Sequence, residues 1–289
     1  MNHATSGAGL PDWLGLYLER IGWNGAPPGA DTGQGNDARA ILEALIPLHT
    51  AAIAFENIDC LLHQPVDVTP AAVIDKLVRR RRGGYCFEQN ILLAEVLTAL
   101  GYRVEPLLAR VLWDDPDPAT KPRTHMALKI TPPEGGVPWL ADVGFGGNVL
   151  TGVLDFVSGM EQQTPHGPFR LIERRDGWEQ QVGIAGNWRP TYLFSPGAVY
   201  PIDLVQANWW VSTHPDSKFR HILRVALAPP GRRYAMLNRH LTTYHADGRK
   251  EEEDLTAAET VERLSALFRI EYDDREAVIA RLEGMTDDS

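Results

Sequence analysis

The period of the apolar residues changes abruptly near Gly101. Before it, they recur every three or four positions; after it, they come in short, roughly alternating runs. That break reads as helices followed by antiparallel strands, an α+β organisation. In "DWLGLYLERIG" the residues Trp13, Leu14, Tyr17, Leu18 and Ile21 share one side at helical spacing. Residues 25–37, "GAPPGADTGQGND", are a loop rich in helix breakers. "DARAILEALIPLHTAAIAF" predicts a second helix, with Pro47 as its kink or end. "TPAAVIDKLVRR" starts a third, with Thr69 at the N-cap and Pro70 at the first helical position. "CFEQNILLAEVLTALG" predicts a fourth, ended by Gly101, with Cys86 in its first turn.

Beyond Gly101, "YRVEPLLARVLW", "THMALKI" and "PWLADVGF" predict strands. "RLIERRDGWEQQVGI" is two strands around an Asp176-Gly177 hairpin turn. "FRHILRVALA" and "LTTYHADGRK" continue the strand pattern, the latter with a turn at Asp247-Gly248. Helices return at the end, where Thr256 and Glu259 fit a capping box ahead of "DREAVIARLEGM". The expected class is α+β, in three segments: helical over 1–100, strands over 101–200, and strands with terminal helices over 201–289.

The chain's 289 residues exceed what one core usually serves. Its 28 Lys+Arg against 38 Asp+Glu leave a charge of −10, which argues against a general nucleic-acid binder. No apolar run approaches the ~20 residues of a membrane span, and the N-terminus lacks the basic start and apolar core of a signal peptide. Two cysteines cannot form a disulfide framework, so a cytoplasmic protein with reduced thiols is expected.

The stretch that carries chemistry is "RRRRGGYCFEQN", residues 79–90. A Gly-Gly turn delivers Cys86 to a helix start, where unpaired N–H groups and the positive end of the helix dipole favour a thiolate. The alternative is a small, inert, buried residue. A nucleophilic cysteine needs a base, and the base an orienting group. In "RTHMALKI", Met126, Leu128 and Ile130 face one way, so His125 faces the other with Ala127 and Lys129. In "WLADVGFGGN", Asp142 stands in an apolar strand, where an unpaired carboxylate is costly and an imidazole on a neighbouring strand would serve as partner. A helix start facing two adjacent strands can build a Cys-His-Asp acyl-transfer site. The residues alone leave acyl donor and acceptor open.

"RGGYCFEQN", "THMALKI" and "LADVGFGG", in that order, together with "AFENID", "NWWVSTHPDSKFRHIL" and "LNRHLTTYHADG", resemble the arylamine N-acetyltransferase family, from about residue 10 to about residue 270. The resemblance implies a helical bundle, an antiparallel β-barrel and an α/β lid in a cysteine-proteinase-like arrangement. It implies that acetyl-CoA, as co-substrate, acetylates Cys86, and that an arylamine, arylhydrazine or arylhydroxylamine then takes the acetyl group. His125 would move protons and Asp142 hold the imidazole. Phe55 and Phe145 would lie beside the aromatic acceptor, Thr124 near the thioester arm, and Gly144, Gly146 and Gly147 in a close-approach loop. Arg82 would pair with Glu56 to hold the turn before Cys86, leaving Arg79, Arg80 and Arg81 as a solvated helix end and Cys60 as an inert position. No metal and no permanently bound cofactor are expected; the partners are small molecules, and the oligomeric state is open. The rival functions are an amide synthase of antibiotic biosynthesis using the same triad, a cysteine peptidase or transglutaminase-like hydrolase, and a non-catalytic binding protein.

Overall fold

The computed structural model describes residues 10–24, 35–113, 115–133 and 135–285. Helix α1 (Asp12–Arg20) buries Leu14, Tyr17 and Leu18, as its spacing predicts. The breaker-rich stretch at 25–34 lies outside the described residues, and helix α2 (Gly35–Ala52) already includes the end of the expected loop. Pro47 does not end α2. Its missing N–H weakens one turn, but Leu45, Ile46 and His49 are fully buried around it, and Thr50 Oγ donates to the Ile46 carbonyl at 3.1 Å. Burial of one apolar side chain contributes about 1.5–3 kcal/mol, so Leu45 and Ile46 together offset the roughly 3 kcal/mol that a helix-interior proline costs.

Strand β1 (Phe55–Glu56) breaks the helical segment, against expectation. After the single turn α3 (Ile58–Leu61), helix α4 (Pro70–Ile74) starts with Thr69 and Pro70 in the predicted places. It then widens over Asp75–Arg79, where the Arg80 N–H reaches back five residues to the Asp75 carbonyl at 2.9 Å. Helix α5 (Cys86–Ala99) begins at the cysteine, and the chain leaves it through Gly101 at φ +89°.

Eight antiparallel strands follow: β2 (Arg103–Val111), β3 (His125–Thr131), β4 (Trp139–Ala141), β5 (Leu154–Asp155), β6 (Gln162–Thr164), β7 (Gly167–Arg174), β8 (Gly177–Ile184) and β9 (Asn187–Phe194). Their order is β5-β4-β3-β2-β9-β8-β7-β6, with β7 and β8 joined at the expected Asp176-Gly177 turn. The two outer strands meet through one side chain: the Gln162 amide accepts from the Asp155 N–H at 2.7 Å and donates to its carbonyl at 3.0 Å. The sheet is thereby a nearly closed barrel. Ala127 faces its interior with Leu107, Leu140, Phe169, Leu171 and Phe194, whereas Met126, Leu128 and Ile130 pack outward against α5 and the other helices. Alternation in "HMALKI" thus serves two cores.

Helix α6 (Pro201–Thr213) leads to β10 (Arg224–Leu227), β11 (Arg232–Leu237), β12 (His240–His245), β13 (Lys250–Asp254), α7 (Ala257–Ala266) and α8 (Arg275–Glu283). The second sheet runs β1-β10-β11-β12-β13, so β1 joins a sheet made otherwise of C-terminal strands. Val225, Leu227, Met236 and Leu241 pack there against Val261, Leu264, Phe268 and Val278. The predicted capping box holds, with Glu259 accepting from the Thr256 N–H at 2.8 Å. The class is α+β. No helix among the described residues is long and apolar enough to cross a membrane.

Candidate active site

Strand β1 and the Gly83-Gly84 turn interlock ahead of α5. The Gly84 N–H bonds the Ala54 carbonyl at 3.2 Å, and the Glu56 N–H bonds the Gly84 carbonyl at 3.1 Å. A Cβ on Gly83 would stand 2.3 Å from the Ala54 oxygen, so only glycine permits this approach. The turn places Cys86 as the first residue of α5, 4% exposed, with Sγ 3.6 Å from the Thr124 carbonyl oxygen. Thr124 therefore meets the sulfur through its backbone.

His125 begins β3, and Asp142 immediately follows β4. Their side chains are buried and joined at 2.7 Å, Nε2 to Oδ2. This leaves Nδ1 for Cys86, whose proximity favours the protonated imidazole. Burial opposes the imidazolium, but Asp142 and Cys86 outweigh it and hold the His125 pKa up at about 10. Burial also works against the Asp142 carboxylate, and His125, Asn90 and the Gly144 N–H overcome it, keeping its pKa below the ordinary value. The other carboxylate oxygen accepts from Asn90 Nδ2 at 3.0 Å and the Gly144 N–H at 2.8 Å.

Two members of this arrangement were not assigned from sequence. Asn90, one turn after Cys86, also donates to the Met126 carbonyl at 2.8 Å and accepts from the Val143 N–H at 3.1 Å, tying α5 to both strands. Tyr192 on β9 lies 4.7 Å from the His125 ring, centroid to centroid, and its hydroxyl accepts from Gln180 Nε2 at 2.8 Å. A bulge aims it: Gln180 pairs with Tyr192 and Gln181 with Pro190, so Thr191 is the extra residue.

On the opposite flank of the turn lies a second buried constellation. Arg82 meets Glu56 and Asp59, each at 2.9 Å, and Lys76 meets Asp59 and Glu88, each at 2.6 Å. Glu88 also accepts from the Tyr85 N–H at 3.0 Å, capping α5. Burial, with neighbouring Glu56, pushes the Glu88 pKa up to about 7 despite Lys76. The Glu56–Arg82 pair is as expected, and Asp59, Lys76 and Glu88 extend it. Arg79 and Arg80 pair with Asp75 at the surface, and Arg81 with Glu271. Cys60 is fully buried, and burial pushes its thiol up.

The Phe145 ring stands edge-on to His125 at 5.2 Å. Phe55 meets Phe219 at 6.0 Å, and a Cβ on Gly146 would stand 3.6 Å from the Phe55 ring. A Cβ on Gly144 would stand 2.6 Å from Cys86 Cα. Phe145 thus flanks a buried thiol, imidazole and carboxylate, an arrangement of the kind that can form and resolve an acyl-thioester. Among the described residues no group of three or more His, Cys, Asp or Glu could hold a metal ion.

The sequence model of the N-acetyltransferase family matches residues 40–278. A Mycobacterium bovis protein named arylamine N-acetyltransferase is 41% identical over 264 residues, 90% of each chain. The chain belongs to the arylamine N-acetyltransferase family. An Escherichia coli arylamine N-acetyltransferase is 40% identical over 233 residues, covering 80% of this chain and 79% of its own. The solved arylamine N-acetyltransferase of Mycobacterium marinum superposes with a TM-score of 0.86 at 39% identity, covering 93% of this chain and 98% of that one. The same enzyme in complex with CoA gives 0.85 at 38% identity, with the same coverage. The helices, barrel and second sheet are thus the arylamine N-acetyltransferase fold, and the chain is an acyltransferase.

Proposed function

We propose that this protein transfers an acetyl group from acetyl-CoA to arylamines, arylhydrazines or arylhydroxylamines in two half-steps through a thioester on Cys86. The observation that carries this is Cys86 at the start of α5 facing His125, which is itself bonded to Asp142 at 2.7 Å. The Cys86 thiolate attacks the thioester carbonyl of acetyl-CoA, a new S–C bond forms, and the bond to the CoA sulfur breaks. The His125 imidazolium gives its proton to the departing CoA thiolate. The amine nitrogen then attacks the acetyl carbon, neutral His125 takes the proton it sheds, and the Cys86–acetyl bond breaks, restoring thiolate and imidazolium. Asp142 holds the ring in one orientation throughout. The aromatic setting of Phe55, Phe145 and Phe219 suits an aryl acceptor, and a Salmonella relative is named for both arylamine and N-hydroxyarylamine acceptors. Nothing in this scheme calls for a resident cofactor. Two unpaired cysteines suit the cytoplasm.

The test is incubation with acetyl-CoA and no amine. One acetyl group should appear on the peptide containing Cys86, with a stoichiometric burst of CoA, and an arylamine should discharge it as the N-acetyl product. Absence of label would defeat the scheme. Label that no simple arylamine discharges would point to an amide synthase.

A further inference from the structure

Arg233, on β11, reaches across to the barrel. Its Nη1 donates to the Gly147 and Val149 carbonyls at 3.3 and 3.0 Å, and its Nη2 to the His166 carbonyl at 3.3 Å. Among the described residues no carboxylate pairs with it, and burial draws its pKa down to about 10, so it stays charged at neutral pH. Holding a largely buried guanidinium with backbone carbonyls is costly. The adjacent His166 fastens the same join: Nε2 meets the Pro229 and Arg232 carbonyls at 2.9 and 3.0 Å, and Nδ1 meets Thr151 Oγ at 3.1 Å.

The gripped segment, Gly144–Val149, contains three glycines, with Gly146 at φ +74°. Such a stretch has much conformational freedom to lose. Its own internal backbone bond is Val149 N–H to the Gly146 carbonyl at 3.0 Å. Yet it carries Phe145 over the His125 ring and brings Gly146 against Phe55. Arg233 supplies the hold that the loop's own sequence lacks, because the planar guanidinium spans carbonyls that a single ammonium could not.

We propose that Arg233, assisted by His166, is a positioning residue for the acceptor step: it fixes Phe145 beside His125 and Gly146 against Phe55 so that the aryl ring is held over the Cys86 thioester. The inference rests on the acetyl-transfer scheme above. Arg233 touches none of the reacting atoms: it grips the Gly147 and Val149 carbonyls, whereas the His125–Asp142 pair is held at the other end of the segment by the Gly144 N–H and, from α5, by Asn90. Formation of the thioester should therefore depend on it far less than discharge.

Arg233→Met and Arg233→Lys test this in the full chain. In Arg233→Met the CoA burst on adding acetyl-CoA should keep its amplitude and nearly its rate. The KM for a small arylamine should rise about 10-fold, the loss expected for hydrogen bonds to a charged donor, with kcat less affected. Arg233→Lys should fall between. Amide hydrogen exchange at Gly146–Val149 should quicken in both, a readout that needs no activity. An unchanged arylamine KM in a folded variant overturns the proposal, as does a burst that falls in step with the acceptor reaction, which marks general damage. If Arg233→Met does not fold, Arg233→Lys decides on the same readouts. A wild-type protein that gives neither burst nor label overturns the acetyl-transfer scheme instead, and the exchange measurement still judges the hold on the loop.

Discussion

Two buried charge constellations flank the first turn of α5, and they differ in what they leave unfilled. On one side Glu56, Asp59 and Glu88 interlock with Lys76 and Arg82, every carboxylate facing a cation. On the other, one carboxylate grips one imidazole, and the second ring nitrogen is left for a sulfur. The two cysteines report the contrast. Cys60 and Cys86 are nearly equally buried, but Cys60 lies beside the carboxylate-rich side, where burial and Glu88 disfavour its thiolate. Burial alone therefore does not distinguish the two thiols; their charged neighbours do.

The largest expected effect would break the contrast outright. Cys86→Ala should abolish both acetyl labelling and product formation, whereas Cys60→Ala should keep most of the rate. Equal losses in two folded variants would erase the distinction.

Asp142→Asn should keep the overall shape by circular dichroism but lower the transfer rate by about 10³–10⁴-fold, because an amide facing His125 Nε2 favours the wrong tautomer. A near-normal rate would remove Asp142 from the chemistry.

The saturated side should respond in the opposite sense. Arg82→Met or Glu56→Gln leaves a buried charge uncompensated, which costs roughly 3–5 kcal/mol of stability, while activity per folded molecule is largely kept. Denaturant unfolding checks this, and unshifted midpoints would mean that the pair is dispensable.

The smallest effects separate the two sides by pH. The folded pKa of His125, about 10, lies above its ordinary 6.5, so its contribution to stability is fully present below 6.5 and is lost as pH rises towards 10. Glu88, held at about 7 against an ordinary 4.5, binds its proton more tightly when folded, so stability falls as pH rises from 4.5 through 7. Melting temperature against pH should show both slopes. Glu88→Gln should remove the lower one and His125→Gln the upper one; a wild-type profile in either variant would contradict the assignment.

Much of the site was legible because its chemistry leaves local marks. Glycines before Cys86, an apolar strand around Asp142, and alternation around His125 are all short-range signals. Tyr192 left none, because Pro190 interrupts its strand and a bulge at Thr191 re-aims it. Asn90 was visible in the motif, but its role depends on meeting β3 and β4, which spacing along α5 does not encode. Lys76 reads as an ordinary helical lysine until the widened turn over Asp75–Arg79 buries it. For the fold, the change of period at Gly101 separated helices from barrel, but Phe55–Glu56 is too short for any periodicity, and its partner β10 lies far along the chain.

The closeness of Gly144 to Cys86 limits how such an enzyme can acquire new substrates. Any side chain there would start 2.6 Å from Cys86 Cα and 2.8 Å from Asn90 Nδ2, displacing both. Gly83 is likewise closed by the Ala54 carbonyl. Directed evolution would therefore find these two backbone positions barren, and variation near Cys86 would have to come from neighbouring side chains rather than from the glycines.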